Sequence, residues 1–179
     1  FTVLLNLRMR FSILCVMSVL IIACQTEMDK KLAIIQPFML QVQDSMKVNR
    51  IPDSMAVHFQ QFAAQFPKYK ASEKLLYAST LIAERSGRYF ECGKWCEMYV
   101  AHYPKGQYVF PAMVAAAHNY EKIGQFDKAI KFYDLAALKD PNSTLGKQCA
   151  QTSAMLKKGL ITPEQQLEYI LQNQKDTAQ

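Results

Sequence analysis

The sequence predicts an all-α fold built from about four antiparallel helix pairs, and three observations predict it. The pairs Phe66-Pro67, Tyr103-Pro104 and Asp140-Pro141 recur 37 residues apart, from 67 to 104 and from 104 to 141. Gly87 and Gly124 keep the same spacing of 37, each with one residue between it and an aromatic, Tyr89 or Phe126. Between these landmarks the apolar residues recur at three- and four-residue steps, the period of a helix with one buried face. A fixed period of this length marks a stack of repeated helix–turn–helix units.

The elements follow in chain order. Residues 28–48 read as a first helix, with Pro37 either near its start or kinking it. Ser54–Phe66 is its partner, with Met55, Phe59, Phe62, Ala63 and Phe66 on one side. A second unit runs from about 73 to 106. In the third, Met113, Ala116, Ala117, Tyr120 and Ile123 form one stripe, and Gly124 stops the helix. Phe126, Ala129, Ile130, Tyr133, Ala136 and Ala137 form the next stripe, which Pro141 ends. Asp127 opens that helix, where a carboxylate favours free amides and the positive end of the dipole. Ser143–Lys158 is a further helix. Thr162-Pro163-Glu164-Gln165 then starts the last, with Thr162 as cap, Pro163 at the first position and Gln165 at the capping-box position.

Residues 110–143 resemble the tetratricopeptide repeat. Its bulky, small, aromatic, glycine and proline sites fall on Met113, Ala116, Ala117, Tyr120, Gly124, Ala129, Tyr133, Ala136 and Pro141. Met113 stands for the usual Trp and Ala116 for the usual Leu. The unit before it keeps Leu76, Gly87 and Pro104, with Cys92, Cys96 and Tyr99 at small and aromatic sites. The resemblance implies a right-handed superhelix with approximate repeats 31–67, 73–104, 110–143 and 144–173. It also implies that the first helix of each pair lines a concave, partner-binding face. By register that face carries Lys74, Tyr77, Leu81 and Arg85 in one unit, and Val114, His118 and Lys122 in the next. The Asn sites with which some of these repeats grip a C-terminal carboxylate read Leu81 and His118 here. Three additional residues, Lys105-Gly106-Gln107, lengthen the junction after Tyr103-Pro104. Such junctions are similar to those of outer-membrane assembly lipoproteins and periplasmic cell-division coordinators, and the resemblance covers about residues 53–145. It implies a protein or peptide partner.

The N-terminal residues indicate export. Arg8 and Arg10 precede an uncharged run from Phe11 to Ala23, a basic segment followed by a short apolar one, as in a secretory signal. The run is shorter than the roughly 20 apolar residues that a membrane-spanning helix needs. It ends in Ile21-Ile22-Ala23-Cys24, which resembles the bacterial lipobox. The resemblance implies cleavage before Cys24 and acylation of that residue. The expected organisation is therefore a signal peptide at 1–23, a tether at 24–30 and the repeat domain at 31–175, with Met9 as the expected initiator. Several acyl chains make a stable anchor where a single chain is marginal. Gln25, rather than Asp, follows the lipidated Cys, and this favours sorting to the outer membrane of a two-membrane bacterium.

Composition narrows the function classes. From Cys24 to Gln179 the chain holds 156 residues, enough for one short repeat array. Without Arg8 and Arg10, 19 basic residues face 15 acidic ones, scattered among each other. This is no basic stripe, and it gives no reason to expect nucleic acid. Cys92 and Cys96 lie four apart on one helix face. They read either as buried small apolar groups at repeat contacts or, alternatively, as a periplasmic thiol-redox or metal pair. No His or further Cys stands at a spacing that completes a metal site, and no phosphate loop, His-Glu-x-x-His or nucleophile elbow occurs. The expectation is a protein-binding scaffold without catalysis, metal or cofactor.

Overall fold

The computed structural model of the chain describes residues 25–42 and 45–176. Residues 1–23, expected to be a signal peptide, and Cys24 lie outside the described residues. Among the described residues the chain is all-helical, with no strand. Residues 25–35 form α1, and a 3-10 turn at Gln36–Phe38 leads into α2 (Met39–Val42) and α3 (Ser45–Val48). Seven longer helices follow: α4 (Met55–Gln65), α5 (Ser72–Arg85), α6 (Tyr89–His102), α7 (Val109–Lys122), α8 (Phe126–Lys139), α9 (Thr144–Lys157) and α10 (Pro163–Asp176). From α4 to α9 each helix packs on the next in sequence.

The single helix expected over 28–48 is broken. Pro37 sits in the first turn of the 3-10 segment. A proline inside a helix removes a backbone donor and crowds the preceding turn, so the chain continues as two short helical pieces.

Two kinds of turn alternate. α5, α7 and α9 each stop at a glycine of positive φ, Gly87 at 70°, Gly124 at 72° and Gly159 at 76°. At each, the following amide bonds five residues back: Arg88 to Ala83, Gln125 to Tyr120 and Leu160 to Met155. This is the Schellman closure, and the left-handed position it requires suits glycine best. Gly159 lies 35 residues after Gly124, not 37, so the strict period does not reveal it. The other turns follow the prolines. Phe66, Tyr103 and Asp140, each preceding a proline, cap their helices at φ −122°, −127° and −142° with ψ of 60° to 71°. Crowding by the proline ring keeps the preceding residue out of the α region.

Ser143 caps α9, its hydroxyl accepting from Gly146 N at 3.0 Å. The expected capping box at α10 forms: Gln165 N donates to Thr162 Oγ1 and Thr162 N to Gln165 Oε1, at 3.3 and 3.1 Å. Asp127 lies in the first turn of α8 but makes no capping bond; Gln125 holds the cap position. There the carboxylate acts through the dipole alone.

The core runs along the stack. Phe59, Phe62, Leu75, Leu76, Ile82, Tyr99 and Tyr120 are fully buried. Ala116, Ala117, Ala129 and Ala136 are equally buried and let α7 and α8 approach closely. Gly93 does the same between α6 and α7, where an added Cβ would lie 2.9 Å from the Tyr120 ring. The stack ends loosely: on α10, Leu167 and Leu171 remain 57% and 49% exposed.

Candidate functional site: a groove between α7, α9 and the start of α10

Helices α7 and α9 run on either side of α8 and leave an open groove of about 530 Å³ between them. That volume lies within the roughly 300–1,000 Å³ of sites that hold small ligands or short peptide segments. Val114, His118 and Lys122 line it from α7. They sit at steps of four, one above the other on one helix face. Leu145, Gln148, Cys149 and Thr152 line it from α9 with the same helical period. Ile161 and Gln166 close it at the start of α10, and both sides of the groove mix apolar with polar groups.

Electrostatics fix part of this lining. Tyr133 of α8 reaches the groove and donates to Glu121 Oε2 at 2.6 Å. Burial, followed by Glu121, pushes the Tyr133 phenol well above its ordinary range, so it stays a donor. The Lys122 ammonium lies 4.6 Å over the Tyr89 ring at the groove's edge. His118 is exposed. A ligand in the groove therefore meets one exposed imidazole, one cation and the amides of Gln148 and Gln166.

The structure divides the seven residues expected on the binding face. Val114, His118 and Lys122 share the groove. Lys74, Tyr77 and Leu81 line a slit of only about 20 Å³, closed by Val42, Val48 and Tyr108. Tyr77 stacks on Tyr108 with ring centroids 4.2 Å apart and planes 2° from parallel. Arg85 donates to the carbonyls of Val48 and Ile51, at 3.2 and 2.9 Å, and to the Asp53 carboxylate. This bond and the Arg85 charge lower the Asp53 carboxyl below its ordinary value. The α5 side of the face is thus occupied by the chain's own N-terminal segment. Gln148, Thr152 and Gln166 lay beyond the register arguments that named the earlier residues. The i, i+3, i+4, i+7 spacing of Leu145, Gln148, Cys149 and Thr152 was their available signal.

Cys92 and Cys96 are both free and completely buried. The neighbouring Cys92 and burial push the Cys96 thiol well above its ordinary value. Thiolate is the reactive and metal-binding form, so this placement fits packing and lends no support to thiol-redox chemistry. Cys149 is also buried, and burial raises its thiol too. Among the described residues no group of three or more His, Cys, Asp or Glu is placed to hold a metal ion, and no helix is long and apolar enough to cross a membrane.

Comparison with known proteins gives no matching family, no matching curated protein and no matching solved structure.

Proposed function

We propose that this chain is a lipid-anchored scaffold of the bacterial cell envelope, a tetratricopeptide-like right-handed superhelix that binds a protein or peptide partner and catalyses nothing. The observation that carries the reading is the groove between α7 and α9, set in an array of antiparallel pairs whose first helices end in three alike glycine turns. Repeat arrays of this kind expose long surfaces and use them for binding. The groove has the mixed lining of a recognition surface. Val114, Leu145 and Ile161 supply apolar contact, while His118, Gln148, Thr152 and Gln166 orient an extended chain through hydrogen bonds.

Anchoring rests on Ile21-Ile22-Ala23-Cys24, and the outer membrane on Gln25. The anchor would hold the array at a membrane surface while the groove recruits the partner. Intact-mass spectrometry of protein extracted in detergent from fractionated envelopes tests this half, beside a Cys24→Ala variant. The expected result is a chain beginning at residue 24 and carrying acyl mass in outer-membrane fractions, absent in the variant. An unacylated chain in the soluble fraction would overturn the anchor. For the groove, Gln148→Arg places a long cation in its wall. Partner binding should weaken at least tenfold with folding intact; unchanged binding would move the recognition surface elsewhere.

A further inference from the structure

The alternation of the helices sends the two kinds of turn to opposite ends of the stack. The glycine turns at 86–88, 123–125 and 158–160 share one end. The proline turns at 66–71, 103–108 and 140–143 share the other, and Tyr103 Oη ties two of them by donating to the Pro67 carbonyl at 2.9 Å.

Cations are treated differently at the two ends. At the glycine end most of them are engaged, Arg50 being the exposed exception. Arg85 pairs with Asp53, Lys157 holds Asp134 at 2.8 Å, and Lys122, Lys128 and Lys158 lie 4.4 to 4.7 Å over tyrosine rings. At the proline end Lys68, Lys70, Lys105, Lys139 and Lys147 are all exposed. Among the described residues none of these five ammonium groups has an ion-pair, hydrogen-bond or ring partner. The acids beside them are Glu73 and Asp140. Glu73 Oε1 is turned inward, accepting from Tyr99 Oη at 2.6 Å and from Gln107 N at 2.8 Å. The half-buried Tyr69 and Tyr103 stand on the same turns.

We infer that the proline-turn end is a docking surface for an anionic lipid bilayer. Five unpaired lysines, three on these turns and Lys139 and Lys147 on the helices that flank the last of them, form a broad positive face. Lysine is a strongly hydrated point charge on a flexible stem, unlike the rigid arginine fork that recognises one carboxylate or phosphate bidentately. Such a face suits negative charge spread laterally over headgroups better than the fixed charges of one acidic protein. Tyrosines with one apolar and one polar edge favour the same boundary. Docking by this end stands the helices upright on the membrane and leaves the α7–α9 groove open at the side. The inference rests on the envelope reading for its setting, but the contact needs no acyl chain.

The test uses the full chain carrying Cys24→Ala, so that acylation plays no part. Its co-flotation is measured with vesicles of phosphatidylcholine alone and with phosphatidylglycerol added. The apolar segment 11–23 is common to every variant and cancels in the comparison. Tighter binding to the anionic vesicles is expected at about 0.1 M salt and should fade towards about 1 M. Each lysine near such a surface is worth about a fivefold change in partition. Replacing all five by Gln should therefore remove at least tenfold of the preference. Replacing five cations elsewhere (Lys30, Lys31, Lys94, Lys128 and Lys131) should leave most of it. Equal loss in both variants would reduce the effect to net charge and overturn the docking face. So would equal binding to both vesicles, or charge-dependent binding to a soluble polyanion with no vesicle preference. Failure of the anchor would show separately, in the intact mass.

Discussion

The hydroxyl of Tyr99 donates to Glu73 Oε1 at 2.6 Å and accepts from Tyr108 N at 3.0 Å. One phenol in α6 thereby holds the start of α5 and the turn that leads into α7. Glu73 also accepts from Gln107 N, and Gly106 leaves no space for a side chain beside the pair: an added Cβ would lie 2.6 Å from Tyr99 Oη. Hydrogen bonds to charged groups contribute more than neutral ones, about 1.5–3 kcal/mol. Tyr99→Phe should lower stability by about 2 kcal/mol, or about 5 °C in melting temperature. Thermal unfolding followed by circular dichroism checks this. Glu73→Gln should lose less in the Tyr99→Phe background than alone, because the two groups share one network.

Two glycine substitutions should differ for a geometric reason. A Cβ on Gly146 would lie 1.8 Å from the Asp140 carbonyl oxygen, which is backbone and cannot swing away. One on Gly159 meets nothing within 4 Å, but its φ of 76° penalises any L side chain. Gly159→Ala should cost about 1–2 kcal/mol, the left-handed penalty alone. Gly146→Ala should cost more, above about 3 kcal/mol, and shift the start of α9. Denaturant midpoints of the two variants decide; an equal cost would contradict the packing described.

Alkaline pH should destabilise the array through its tyrosines. Burial pushes Tyr77 up to about 12, above the ordinary value of 10.0. A group whose folded value is raised supports the fold below its unfolded value and loses that contribution as pH climbs through the folded one. Stability should therefore fall between about pH 10 and 12, with about 1 kcal/mol from Tyr77 once screening of this part-exposed group is allowed for. Tyr77→Phe should show a shallower decline over that window, read from melting temperatures across the series.

The three described cysteines should resist aqueous thiol reagents while the protein is folded. Cys92, Cys96 and Cys149 are at most 2% exposed, and the thiolate is the species that reacts. Labelling should proceed only as fast as the chain opens, and denaturant should release all three together with unfolding. Rapid labelling of Cys92 or Cys96 in the native protein would revive the thiol-redox reading.

Much of the array was legible because local signals agreed. Ser54–Phe66 and Ser143–Lys158 fall within one residue of α4 and α9, and for the first the apolar stripe and the proline after it point the same way. The Thr162–Gln165 box formed because all its bonds lie within four residues. The N-terminal segment was less legible. Pro37 announced a disturbance, but whether it starts a helix or breaks one depends on what Ile35 and Val42 pack against. The face expected from the register was legible only as a side of a helix. Register places Lys74, Tyr77, Leu81 and Arg85 on one side of α5. It cannot reveal that Tyr108 and the carbonyls of Val48 and Ile51 have taken Tyr77 and Arg85. Those contacts join residues more than thirty apart, beyond any helical period.

The groove between α7 and α9 is the proposed seat of the protein partner. A photo-crosslinking residue placed at Gln148 or Thr152, inside the groove, tests it in living cells against one at Glu91 on the exposed side of α6. One discrete adduct is expected from both groove positions and none from Glu91, with the adduct lost when Val114→Arg fills the opposite wall. No adduct from the groove, or the same adducts from Glu91, would contradict it.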